Sequence, residues 1–283
     1  MATFNLPKYV QDDIPACVAR ALAEDIGTGD ITAQLIDASK YAKASVISRE
    51  SAVICGRPWV DEVFRQLDPD TLIEWHIEEG DKVMPNQTLF SISGRAQVLL
   101  SGERCALNFL QTLSGTATTA REYATLADKS KVQILDSRKT IPGLRLAQKY
   151  AVLIGGCNNH RIGLFDAFLI KENHIIACGG IPKAVARARE IAPSKSVEVE
   201  VESLAQLKQA VDAGADRVML DNFSVSDLQQ LPSLELGHTK IEVSGNVTTE
   251  SIKEFLHPSV DFISTGSLTK HIQAVDLSMR FEE

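Results

Sequence analysis

The sequence predicts an α/β protein whose second half is a βα repeat, and two observations carry that prediction. After residue 130, short β-branched runs alternate with segments of helical spacing. The strand-like runs are Val132–Leu135, Ala167–Ile170, Val197–Val201, Arg217–Leu220, Lys240–Val243 and Asp261–Ser264; the helical ones include Pro182–Ile191, Leu204–Ala213 and Glu250–Leu256. Such alternation implies parallel strands joined by right-handed crossovers, in a (β/α) barrel or a doubly wound sheet. The second observation is what ends each strand: Asp136, Lys171, Glu200, Asp221, Ser244 and Thr265, separated by 35, 29, 21, 23 and 21 residues. A barrel brings all six to its C-terminal rim. A doubly wound sheet focuses only a few near a switch point, so this many polar ends favour the barrel.

The first half reads differently. Asp13-Ile14-Pro15 looks like a helix start, with Pro in the first turn where its missing N–H costs little, followed by Cys17/Val18 and Ala21/Leu22. Glu24–Thr32 is a glycine-punctuated turn. Residues 44–55 suit strands, Pro58–Leu67 a helix with Val60, Val63, Phe64 and Leu67 on one face, and Ile73, Trp75 and Ile77 a half-buried strand. Glu79–Val83 followed by Leu89–Ile92 has the turn-and-strand pattern of a biotinyl or lipoyl carrier. It lacks the Lys at a hairpin tip that a carrier needs, so a scaffold role is the better reading. Residues 97–127 form a long helical stretch, with Gly102 and Gly115 as expected interruptions and Arg104 among apolar neighbours.

Composition excludes several classes. The chain has 283 residues, 44% hydrophobic and 23% charged, with formal charge -8. That balance suits a soluble globular protein and argues against a broad nucleic-acid or membrane-binding face. Its five cysteines are odd in number, widely spaced and without a C-x-x-C pair, which points to a reducing, cytoplasmic setting rather than a disulfide framework or zinc site. Met1–Pro7 shows no basic-then-apolar signal pattern, and no apolar run reaches the roughly 18 residues that span a bilayer.

Against that acidic background, the cations are concentrated. Asp136-Ser137-Arg138-Lys139-Thr140, Asn158-Asn159-His160-Arg161 and Lys171-Glu172-Asn173-His174 all fall within one span. Arg forks grip carboxylate or phosphate oxygens at two points, and Lys supplies a compact charge. The middle strands end in carboxylates, Glu200 and Asp221, which suit a hard divalent cation or sugar hydroxyls. The last loops, Ser244-Gly245-Asn246 and Thr265-Gly266-Ser267, are small enough to cradle a phosphate with backbone N–H groups. Each piece alone has an ordinary explanation. The alternation Glu198, Glu200, Glu202 fits a solvated face as well as an inward one, Asp221-Asn222 fits a turn, and His160 and His174 fit satisfied core histidines. Taken together on one rim, they describe a pocket for a phosphorylated sugar with a pyrophosphate and an acidic co-substrate.

These segments resemble the quinolinate phosphoribosyltransferase family over essentially the whole chain. The matching stretches are Glu24–Thr32, Ser101–Thr116, Asp136–Leu144, Gly155–His174, Val197–Ser203, Ala213–Asn222 and Val243–Val247, with Asp-Ser-Arg-Lys-Thr, Asn-His-Arg and Ile-Lys-Glu-Asn-His in that order the most specific part. The resemblance implies an N-terminal α/β sandwich at 1–115, an incomplete, seven-stranded α/β barrel at 116–269, and a tail at 270–283 packing back on the first domain. It implies a homodimer, or a larger assembly of dimers, with active sites shared between subunits. The implied reaction joins quinolinate to phosphoribosyl pyrophosphate with Mg2+, releasing pyrophosphate and CO2. Carried over by position, Arg138, His160, Arg161 and Lys171 hold the quinolinate carboxylates, with Arg104 from the neighbouring subunit. Lys139 contacts quinolinate or pyrophosphate, and Thr140 lies in the same binding segment. Glu200 and Asp221 hold ribose hydroxyls and Mg2+, while Ser244, Gly245, Asn246, Thr265, Gly266 and Ser267 receive the 5'-phosphate. Thr269-Lys270-His271 departs from the usual Thr-His-Ser. The competing readings are a phosphoribosyltransferase for nicotinate itself, a Schiff-base barrel lyase using Lys139 or Lys171, and a non-enzymatic carrier. Five cations are more than a single carboxylate needs.

Overall fold

The computed structural model describes residues 6–282; Met1–Asn5, part of the stretch read above for a signal pattern, and Glu283 lie outside the described residues. In chain order the first elements are α1 (Lys8–Ile26), β1 (Tyr41–Ser48), β2 (Ala52–Val53), α2 (Arg57–Leu67), β3 (Leu72–Trp75), β4 (Lys82–Val83), β5 (Thr88–Arg95) and α3 (Ala96–Ala127). Then come β6 (Gln133–Leu135), α4 (Arg145–Gly155), β7 (Phe168–Ile170), α5 (Glu172–Cys178), α6 (Ile181–Ile191), β8 (Val197–Val201) and α7 (Leu204–Asp212). The last are β9 (Arg217–Asp221), α8 (Val225–Leu228), β10 (Lys240–Ser244), α9 (Ile252–Phe255), β11 (Phe262–Ser264), α10 (Ser267–Lys270) and β12 (Leu277–Phe281). No described helix is long and apolar enough to cross a membrane.

The chain forms two compact units. One holds the described residues up to Arg121, Thr140–Gly156 and the described residues from His271 onward; the other holds Glu122–Lys139 and Cys157–Lys270.

In the first unit an antiparallel sheet runs β12-β1-β5-β3, with the tail strand pairing β1 so that Leu277 lies opposite Ser48 and Phe281 opposite Ala44. Its core gathers Val46, Phe90 and Ile92 from the sheet with Leu99, Leu107, Leu110 and Leu113 of α3 and Trp59 and Phe64 of α2. The helix expected to start at Asp13 begins at Lys8, with Pro15 inside it. An interior Pro costs on the order of 3 kcal/mol. Val10, Ile14, Cys17 and Val18 are all buried along that helix, and roughly 1.5–3 kcal/mol for each such side chain outweighs the Pro. Gly102 and Gly115 do not interrupt α3; they are there for clearance. A Cβ on Gly115 would lie 2.1 Å from the Gln273 carbonyl oxygen, and one on Gly102 would lie 2.6 Å from the Phe64 ring. Lys82, in the carrier-like segment, is paired in a short ladder opposite Val53 and is not at a hairpin tip.

The second unit is built on a parallel sheet of order β6-β11-β10-β9-β8-β7. The sequence-read strands match it to within one residue at either end. Where a seventh strand is expected, the described residues have a single parallel bridge, Leu135 to Asn158. Alternation divides the strands into two faces. Val197, Val199 and Val201, Val218 and Leu220, Ile241 and Val243, and Ile263 are all essentially inaccessible. This continuous apolar face is what crossover helices such as α6 and α7 cover. The opposite face carries Glu198 and Glu200, Arg217 and Asp221, Glu242 and Ser244, and Ser264. A sheet that is apolar under its helices and polar on its other face has room for chemistry inside.

Candidate active site

The strand register brings the polar ends to one edge: Ser244 is opposite Asp221 and Ser264, and Ser264 is opposite Leu135, the residue before Asp136. Ile170, the residue before Lys171, lies opposite Val199, next to Glu200. One flank of this edge is acidic. Glu200 is ion-paired with the Lys171 ammonium. Burial raises the Asp221 carboxyl above its ordinary value and the Glu200 charge adds to this, while Lys171 and Lys139 oppose it. The Asn222 amide donates to Asp221 Oδ2 at 3.0 Å from a left-handed backbone, φ 55°. Gly245 must be glycine on two counts: φ is +99°, and a Cβ would lie 2.2 Å from Asn222 Oδ1.

The other flank is cationic and is organised by Asp136, which is fully buried. Its Oδ2 accepts from the Asn159 amide at 2.7 Å and its Oδ1 from the His160 backbone N–H at 2.8 Å. These bonds fix the loop that carries Arg161. Burial lowers the Arg161 guanidinium and the neighbouring Arg138 charge lowers it further, with Glu198 and Asp166 opposing. Two guanidiniums near enough to feel each other's charge suit an anion with more than one carboxylate. Arg161 Nη1 donates to Ala167 O at 3.3 Å. Lys139 is exposed, its N–H bonded to Ser137 Oγ and its carbonyl accepting from Thr269 Oγ1 at 2.8 Å. Gly266 leaves space for it, since a Cβ there would lie 2.9 Å from Lys139 Cδ. Thr265 turns its hydroxyl inward, donating to Val247 O at 3.0 Å and accepting the Ser267 N–H at 3.2 Å.

The second unit thus brings together Arg138, Lys139, His160, Arg161, Lys171, Glu200, Asp221, Ser244, Gly245, Asn246, Thr265, Gly266 and Ser267. Arg104 and Thr140 fall in the first unit: Arg104 is exposed on α3, and Thr140 Oγ1 accepts from Arg145 Nε at 3.1 Å.

Sequence reasoning missed a layer beneath the cations. Glu198 and Glu242 are 4% and 0% exposed, and burial pushes both carboxyls up to about 7. Arg217 Nη1 ion-pairs Glu242 at 2.9 Å and stacks 4.0 Å over the Phe262 ring. His160 Nδ1 accepts the Arg161 N–H at 2.8 Å, so the ring proton sits on Nε2, which faces Glu198 Oε2 at 2.9 Å. The signal available in the sequence was register: Glu198 is two residues before Glu200, and Glu242 two before Ser244.

Two sets of side chains could hold a cation by composition. Glu200 and Asp221 offer oxygen donors of the type hard divalent ions take, and their mutual repulsion is what such an ion relieves. His160, Glu198 and Glu242 have ligand-type atoms within 4.8 Å of one another, but Arg217 already neutralises Glu242 and the His160 proton occupies Nε2. The first pair fits a metal better.

Comparison with known proteins finds relatives along nearly the whole chain. Residues 116–280 match the model of the quinolinate phosphoribosyl transferase C-terminal domain, and residues 30–114 match that of the N-terminal domain. A probable carboxylating nicotinate-nucleotide pyrophosphorylase of Bacillus subtilis (strain 168) is 40% identical over 90% of this chain and 89% of its own. The chloroplastic carboxylating enzyme of that name from Arabidopsis thaliana is 37% identical over 98% of this chain and 85% of its own. The structure of the nicotinate-nucleotide pyrophosphorylase from Francisella tularensis superposes with a TM-score of 0.93 at 48% identity, covering 99% of this chain and 100% of that one. NadC from Streptococcus pyogenes gives 0.91 at 38% identity with both chains fully covered. With both domain models matched in order and relatives of this similarity along nearly its full length, the chain belongs to the quinolinate phosphoribosyltransferase family.

Proposed function

We propose that this chain is a pentosyltransferase that moves the phosphoribosyl group of phosphoribosyl pyrophosphate onto quinolinate with decarboxylation, giving nicotinate mononucleotide, pyrophosphate and CO2 for NAD synthesis. The observation that carries the reading is the adjacency of Arg138 and Arg161 on one flank of a parallel-sheet edge whose other flank is Glu200 and Asp221. Two guanidiniums match a dicarboxylate, and two carboxylates match a sugar that becomes cationic.

The chemistry follows from charge. Arg138, Arg161 and Lys171 grip the quinolinate carboxylates and fix the ring so that its nitrogen faces C1' of the ribose; holding the reactants in line removes most of the entropic barrier. As the C1'–O bond to pyrophosphate breaks, positive charge grows on the ribose, and Glu200 and Asp221 lie where it is stabilised. The phosphate end rests against Ser244-Gly245-Asn246 and Thr265-Gly266-Ser267, whose glycines admit close backbone approach. Lys139 reaches from the same edge toward the departing oxygens. Mg2+ is the expected metal: Glu200 and Asp221 are the residues that would hold it, and when bound it neutralises pyrophosphate oxygens. After transfer the ring nitrogen is cationic and stabilises the electron pair left on the adjacent carbon when its carboxylate departs as CO2; a proton from water then completes the C–H bond at that carbon. No covalent enzyme intermediate is needed.

The enzyme acts in this reading as a homodimer or an assembly of dimers, with Arg104 entering the neighbouring subunit's site, and works in the cytoplasm. Support for Arg104 is its exposure on α3 as an unburied cation. The cysteine spacing supports the compartment. Competition binding tests the substrate: quinolinate should displace a labelled quinolinate probe at concentrations at least about tenfold below those needed of nicotinate, since one fewer charge-assisted contact is worth about 1.5–3 kcal/mol. Equal competition by nicotinate would overturn the dicarboxylate assignment.

A further inference from the structure

A parallel barrel interior is ordinarily filled by branched aliphatic side chains. Here two of its strands, β8 and β10, place carboxyls inside at Glu198 and Glu242, where almost nothing of them is exposed. Burying charged groups is costly, and well-packed apolar residues of similar volume are often as stable or more so. Fold stability is therefore a poor reason for them, and their contacts give a better one. Phe262 seats Arg217, Arg217 seats Glu242, and Glu198 Oε2 lies 2.9 Å from His160 Nε2, at ion-pair distance although not aligned as a hydrogen bond. Glu242 Oε1 is 3.6 Å from the same nitrogen, so Glu198 is the nearer charge. With Nε2 held there, Nδ1 is turned to accept the backbone N–H of Arg161 at 2.8 Å. That bond fixes the backbone from which the Arg161 guanidinium projects.

We propose that Glu198, with Glu242 and Arg217 behind it, is a positioning residue that acts on the substrate through His160 and Arg161. It touches no substrate. It sets the ring tautomer and rotamer of His160, and His160 sets the direction of Arg161. The inference rests on the quinolinate reading above for the identity of the ligand Arg161 meets, but not for the chain of contacts itself.

The test is the steady-state behaviour of Glu198→Leu and Glu198→Gln beside the wild-type enzyme. Leu removes the carboxylate oxygen that lies 2.9 Å from Nε2 at similar volume; Gln keeps a polar oxygen at that position. The expected result is a quinolinate KM raised about tenfold or more in Glu198→Leu, a phosphoribosyl pyrophosphate KM within about twofold of wild type, and recovery of the quinolinate KM in Glu198→Gln. An unchanged quinolinate KM in folded Glu198→Leu, an equal rise in both KM values, or a Gln variant as impaired as Leu would each overturn it. Should Glu198→Leu fail to fold, 15N NMR of histidine-labelled wild-type protein decides, with the His160 resonance assigned by its loss in His160→Gln. The expected signature is a neutral Nε2–H ring with a hydrogen-bonded, unprotonated Nδ1, and an Nδ1–H ring or an imidazolium contradicts the proposal. A wild-type enzyme that does not turn over quinolinate, yet has the expected tautomer, would count against the substrate reading and leave this chain of contacts standing.

Discussion

Lys139 and Arg161 carry the account at the level of single residues. Lys139 is exposed at the sheet edge with its backbone pinned by Ser137 and Thr269, while Arg161 is half-buried beside Arg138. Losing one charged partner in a closed, substrate-filled site costs on the order of 3 kcal/mol, so Lys139→Ala and Arg161→Ala should each lower kcat/KM by more than about a hundredfold. Steady-state assay of purified, folded variants checks this, and near-normal activity in either refutes its role. At this scale the charged groups were legible because cations stand out in an acidic chain. Glu198 was not: in sequence it is one of three alternating glutamates, and only the register against Arg217 and the reach of His160 turn it inward. His160 was legible as a polar group of the site, but its hydrogen bond from Arg161 and its close approach to Glu198 depend on a loop fixed by Asp136, which spacing alone does not reveal.

Strands were the most legible elements, since a parallel sheet needs a fully apolar face and Val197–Val201 or Ile241–Val243 supply it at period two. Helix limits were harder. Pro15 marks a start by local rules, yet the buried stripe from Val10 to Leu22 extends α1 backward past it. The short helix α5, directly after Lys171, has no buried residue and so leaves no apolar periodicity to read. Gly115 was read as a break because glycine weakens helices, whereas in α3 it is the contact point for the Gln273 backbone. Gly115→Ala should therefore destabilise, although alanine is the better helix former. Overpacking against backbone costs roughly 1–3 kcal/mol, which corresponds to a fall of several degrees in Tm at about 2–4 °C per kcal/mol for a domain of this size. Thermal unfolding of the variant measures it, and an unchanged or higher Tm would show that the tail segment yields freely.

The whole molecule is where sequence patterns inform least. The tail strand β12 closes the first unit's sheet against β1, a pairing between chain ends that no local pattern announces. Subunit sharing belongs to the same scale. If Arg104 serves a neighbouring subunit, Arg104→Ala and Lys139→Ala proteins are each inactive alone, and mixing them under conditions that exchange subunits should restore a fraction of wild-type turnover, up to about one site in four. No recovery after exchange has been verified, for instance by mass-tagged heterodimers, argues that each chain completes its own site.

The most direct test of the central claim is release of labelled CO2 from carboxyl-labelled quinolinate, with phosphoribosyl pyrophosphate and Mg2+ omitted in turn. Release only in the complete mixture, matched by equal amounts of nicotinate mononucleotide, is the result expected if the cation pair and the carboxylate pair act on two substrates at one edge. CO2 appearing without the sugar donor, or a complete mixture that releases none, would contradict it.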